Sequence, residues 1–100
     1  MEPRRRAAEL LKSLDVAAGG EVGRWGEDLL VFLYELRDNH SVVKSSSKVF
    51  SGKSFAALGE LMYELEARPD ETASSDDRKI FIRKLLEDIA AGRIVTSRKV

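Results

Sequence analysis

The sequence predicts an all-α domain, a compact bundle of about four helices, and three observations carry that expectation. Four segments place apolar residues at the i, i+3, i+4, i+7 spacing that lines one face of a helix. Residues that start or stop helices stand at their ends: Pro3, Gly19-Gly20, Ser54, Pro69, Ser75 and Gly92. The chain has 43% hydrophobic residues and no cysteine, so hydrophobic packing rather than disulfides or thiolate metal sites must hold it together.

The first helix is expected over residues 3–18, with Ala7, Leu10, Leu11 and Leu14 on one face, Pro3 in the first turn and Gly19-Gly20 as a stop. The second, over 21–38, collects Val22, Trp25, Leu29, Phe32, Leu33 and Leu36 in one stripe, with Val31 almost opposite. It reads as the centre of the bundle. Gly23 and Gly26 each cost about 1 kcal/mol relative to alanine in a helix, which argues for a start nearer Trp25. The third helix, over 54–67, gathers Phe55, Leu58, Leu61, Met62 and Leu65, capped by Ser54 and stopped by Pro69. The fourth, over 75–91, aligns Ile82, Leu85, Leu86 and Ile89 beneath Phe81. Ser75 suits its cap, Asp76 and Asp77 the positive end of its dipole, and Gly92 the left-handed position after its last turn.

Residues 39–53 are rich in Ser and Lys and long for a helix connection. They are read as a loop whose apolar ends pin to the core, with a short hairpin between Val42-Val43 and Val49-Phe50 as the alternative. Ile94-Val95-Thr96 has strand propensity without an evident partner, and the basic tail that follows is expected to fray. The whole of 1–100 is expected to form one helical domain.

A formal charge of zero conceals blocks. Residues 60–77 hold seven acids against Arg68 alone, while Lys44, Lys48 and Lys53, the run Arg78, Lys79, Arg83, Lys84, and the tail Arg93, Arg98, Lys99 are basic. Opposed patches steer a charged partner, favour head-to-tail self-association, or pair within the fold. The longest apolar run, residues 29–34, is far short of the about 20 residues a membrane span needs. Arg4-Arg5-Arg6 is followed by no apolar signal segment, so an intracellular, cytoplasmic location is expected.

Catalytic and cofactor signals are weak. Ser51-Gly52-Lys53-Ser54 carries only the end of a phosphate-binding loop. The first glycine of that pattern falls at Ser47, and no buried strand precedes it, which leaves at most a weak anion site at Lys53. His40, the lone histidine, reads as a capping or solvated residue at a helix end. The paired carboxylates Glu64/Glu66, Asp70/Glu71, Asp76/Asp77 and Glu87/Asp88 read as solvated faces rather than general acids and bases. No enzyme activity, cofactor or metal is expected.

Protein interaction is the class that remains. Trp25, Val31, Tyr34, Tyr63 and Ile80 edge the apolar stripes or fall outside them, and hydrophobes with charged rims are what an interface uses at its centre. The expectation is a non-enzymatic interaction or adaptor module with regulatory character. A homodimer or a helical partner would lie across the second and fourth helices, oriented by the acidic segment. The alternative is a small nucleic-acid-binding regulator that uses Arg78, Lys79, Arg83 and Lys84 with the basic chain ends.

Overall fold

Helix α1 (Pro3–Leu14) opens with Pro3 in its first turn and with the Glu2 carboxylate accepting the Arg4 amide; Ala7, Leu10 and Leu14 form its buried face. The computed structural model describes residues 2–16, 21–48, 50 and 55–99. The glycine stop at 19–20, the Ser54 cap, Val49 and Lys53 lie outside them. Helix α2 (Glu21–Asn39) starts at Glu21 in spite of its glycines, because both are buried where the helix meets a short helix that the periodicity did not reveal. A Cβ on Gly26 would stand 3.0 Å from the Pro69 carbonyl oxygen and 3.4 Å from Ala73 Cβ.

That short helix, α4 (Pro69–Ser74), follows α3 (Gly59–Ala67), which is itself entered through a 3-10 turn at Phe55–Leu58. Pro69 therefore acts twice. It ends α3, as the sequence implies, and its fixed φ and missing amide suit the first position of α4. Thr72 is buried there, its hydroxyl donating to the Glu64 carbonyl at 3.1 Å and tying α4 to α3. Helix α5 (Asp76–Ala90) begins as its sequence implies: the Ser75 side chain accepts the Arg78 amide, and Asp76 and Asp77 occupy the first turn. After it, Gly92 turns the chain at φ +79°.

The described residues thus form five α-helices, not four, together with one small sheet. Strand β1 (His40–Ser45) pairs antiparallel with β2 (Ile94–Arg98), from His40 opposite Arg98 to Ser45 opposite Ile94, with an irregularity between Val42 and Lys44 that leaves Val43 as an extra residue. This corrects two expectations. Residues 40–45 form a strand rather than part of a loop or of a local hairpin, residues 46–48 and 50 carry no regular structure, and residues 94–98 do not fray but supply the missing strand. The cause is burial at long range: Val42 and Ile94 point into the core from opposite strands, and neither finds that partner within its own neighbourhood. Phe50 also reaches the interior, stacked on Phe55 with ring centroids 5.3 Å apart.

The buried apolar side chains make one continuous cluster, with Leu29, Phe32, Leu33 and Leu36 of α2 fully enclosed alongside Leu61 and Leu65 of α3 and Ile82, Leu85 and Leu86 of α5. Helix α1 packs on α5, and α2 packs on α4, α3 and α1. No helix of the described residues is long and apolar enough to cross a membrane.

Candidate interaction surface

The five expected contact residues divide in the structure. Trp25 is corrected outright: it is buried, and its indole Nε1 donates to the Leu10 carbonyl at 2.9 Å, so the ring locks α2 against α1 and is closed to a partner. A Trp on the main apolar stripe was the signal for that outcome. Val31, Tyr63 and Ile80 instead remain 68%, 73% and 69% exposed, large apolar groups held in water by helices whose other faces are committed to the core.

Three of the five lie on the adjoining helices α2 and α3. Val31 and Tyr34 are three residues apart on α2 and therefore neighbours on its surface. The Tyr34 hydroxyl crosses to α3 and donates to Glu66 Oε2 at 3.0 Å, and Glu66 lies three residues from Tyr63 on that helix. Arg37 covers the Tyr34 ring, with its guanidinium carbon 4.8 Å from the centroid. The Glu66 carboxylate holds the Tyr34 hydroxyl above its ordinary pKa, since the bonded proton is harder to lose. Val31 and Tyr34 thus share a face of α2, and Tyr34 is joined through Glu66 to α3, the helix that carries Tyr63, with Arg37 over the Tyr34 ring. Ile80 sits elsewhere, on α5, which packs on α1 and α4.

The basic run of α5 is partly spent inside the chain. Arg78 pairs with Glu64 at 2.6 Å, joining α5 to α3, and Arg83 pairs with Asp15 at 2.7 Å, joining α5 to the end of α1. Lys79 and Lys84 are half-buried. The acidic block is spent in the same way: Glu64 on Arg78, Glu66 on Tyr34, and Glu71 near Arg68, leaving Glu60, Asp70, Asp76 and Asp77 exposed.

Two polar residues lie where the sequence does not suggest them. Asp88 is fully buried rather than solvated. Burial opposes its ionisation, but the Ser47 hydroxyl donating at 2.6 Å, the Arg93 guanidinium and nearby Lys84 outweigh it and hold the carboxyl below its usual range. The Arg93 amide also donates to the Asp88 carbonyl, so one residue fastens the end of α5 to the segment after β1. His40 is 5% exposed, and among the described residues neither ring nitrogen has a hydrogen-bond partner. Desolvation lowers its pKa; Glu35 pulls the other way and Arg98 adds to the depression.

Among the described residues no group of three or more His, Asp or Glu side chains is arranged to hold a metal. The phosphate-loop residues 51–54 lie outside the described residues. No protein-family model matches this chain, and no curated protein or solved structure matches it either.

Proposed function

We propose that the chain is a non-enzymatic protein-interaction module that docks a partner across the Val31–Tyr34–Tyr63 strip of α2 and α3. The observation that carries this reading is the pair of large side chains, Val31 and Tyr63, that stay more than two-thirds exposed beside a half-buried tyrosine. Burying them in a partner removes apolar area from water, about 25 cal/mol for each Å². The charged flank, Arg37 on one side and Glu66 with Glu60 on the other, orients the partner and favours a surface of opposite charge. Ile80 on α5 provides a second contact for a partner long enough to reach it, or for a second copy of the chain.

The test uses Val31→Arg, which places a charge at an exposed helix position and leaves the core untouched. Wild-type and variant chains are immobilised and offered the proteins of the native host, and light scattering follows each alone across concentration. Partners, or a dimer, present with the wild type and lost with Val31→Arg at unchanged circular dichroism support the reading. An identical set of bound proteins and an identical oligomeric state for the two chains overturn it.

A further inference from the structure

Among the described residues, the two-stranded sheet has an open side that the α2–α3 surface does not involve. The Lys99 amide donates to the Asn39 carbonyl and the Ser46 amide to the Arg93 carbonyl, which fixes the phase of the ladder. In an antiparallel pair, residues alternate between hydrogen-bonded and non-hydrogen-bonded positions. Counting inward from both ends through the register places Ile94, Thr96 and Arg98 at the non-hydrogen-bonded positions, so their backbone N–H and C=O groups face away from β1. No backbone hydrogen bond between described residues outside the ladder engages these three, and no third strand joins the sheet among the described residues.

Beside that edge runs a groove of about 310 Å³, lined by Ile94, Val95 and Thr96 on one side and by Pro3, Arg4 and Ile89 on the other. Three consecutive strand residues line it although their side chains point alternately inward and outward, and no residue of β1 contributes. The groove therefore follows the outer edge of β2 rather than a face of the sheet. Its lining is mixed: Pro3, Ile89 and Ile94 supply apolar surface, while Glu2, Arg4 and Thr96 supply polar groups. Arg4 meets no carboxylate within salt-bridge distance among the described residues; its Nε rests 3.4 Å from the Ala90 carbonyl. Arg5 beside it is exposed and basic; Arg98 at the end of the strand lies 3.7 Å from Glu35, Lys99 beyond it donates to the Arg37 carbonyl, and Glu2, which also lines the groove, has its side chain turned to cap α1.

We infer that the outer edge of β2 and the groove between it and the start of α1 bind an extended, acidic segment of a partner protein by strand addition. The amides of Thr96 and Arg98, unpaired among the described residues, select a strand over a helix, because only an extended backbone presents donors and acceptors at matching spacing. The apolar part of the lining takes one alternate set of side chains. Arg4 and Arg5 take acidic residues of the other set, which is what distinguishes this occupant from a neutral or basic strand. The surface is separate from the α2–α3 strip, and the two readings fail independently.

The experiment titrates the full chain into labelled peptides of about six residues that alternate valine with glutamate, in both phases, enough to run the length of β2. Counterparts carry lysine for glutamate, or N-methyl groups on alternate backbone amides. The inference requires saturable binding of a valine–glutamate peptide that weakens with salt, and at least about tenfold weaker binding of the lysine and N-methylated peptides. It also requires that Thr96 amide hydrogen exchange slow on binding. Arg4→Glu should lower affinity about tenfold, whereas Val31→Arg should not change it. Equal binding of the N-methylated peptide, unchanged Thr96 exchange, or no binding by either phase overturns the inference. Because the N-methyl comparison alters only the peptide, its result does not depend on how a variant folds.

Discussion

At the scale of single residues, two buried polar groups set the pH limits of stability. His40 is held neutral by desolvation, so the unfolded chain, with an ordinary imidazole, binds the proton more tightly than the folded one. Stability is therefore complete above about pH 6.5 and declines as pH falls from there toward the lower pKa of the folded state. Denaturant midpoints measured from about pH 8 to about pH 5 should fall, and His40→Phe should flatten that part of the profile. A flat wild-type profile would show that the ring is hydrated. Asp88 acts in a lower window: its folded pKa is depressed, so its contribution is present above the unfolded carboxylate value of about 4 and is lost as pH drops further. Asp88→Asn, which keeps the shape and removes the charge facing Arg93 and Ser47, should cost about 2 kcal/mol by chemical denaturation at neutral pH. Neither burial was legible in sequence. His40 ends a helix, and Asp88 follows another acid at the edge of a stripe; only the return of β2 and the Ser47 segment encloses them.

At the scale of elements, most of the helix starts and stops were legible because each depends on residues close together in the chain. Ser75 capping α5 and the positive φ of Gly92 are local events. Helix α4 was not legible, since six residues beginning at a proline give too short a period to recognise, and it forms because α2 offers Gly23 and Gly26 as a surface to lie against. The two glycines differ in what they face. A Cβ at Gly23 would strike only the Asp70 carboxylate, the exposed end of a side chain that can turn away. At Gly26 it would press on the backbone oxygen of Pro69. Gly23→Ala is therefore expected to be neutral or to stabilise by up to about 1 kcal/mol through helix propensity. Gly26→Ala should destabilise by about 1 kcal/mol, because overpacking against fixed backbone exceeds that gain. Thermal unfolding of the pair checks the contrast, and equal shifts in one direction would show that α4 moves freely on α2. The lone tryptophan, bonded to Leu10, reports unfolding by fluorescence in both variants.

At the scale of the whole molecule, the charge blocks prominent in the sequence are partly resolved into pairs on the surface. Asp15–Arg83, Glu64–Arg78 and Glu35–Arg98 join distant parts of the chain, yet every one keeps solvent contact on at least one partner. Such pairs contribute little and are screened by salt. Raising sodium chloride from about 0.05 to about 0.5 M should leave Tm within about 3 °C, because the continuous apolar core, not the ion pairs, carries the fold. A loss well beyond that would place real stabilising weight on Arg78 and Arg83. The candidate surface follows the same division. That Val31, Tyr63 and Ile80 stand outside the stripes was readable from the helical period, whereas the junction of Tyr34 with Glu66, which ties the helix carrying Val31 to the helix carrying Tyr63, required the packing of α3 on α2.

The sequence by itself determined four of the five helices of the described residues, because period, caps and stops act over a few residues and need no knowledge of the rest of the chain. Tertiary structure alone decided that α4 exists and that His40–Ser45 and Ile94–Arg98 pair with each other as strands. Each of these is stabilised by groups dozens of residues away or by a neighbouring helix's shape, and a strand without its partner leaves backbone donors and acceptors unpaired, so no local pattern could announce it.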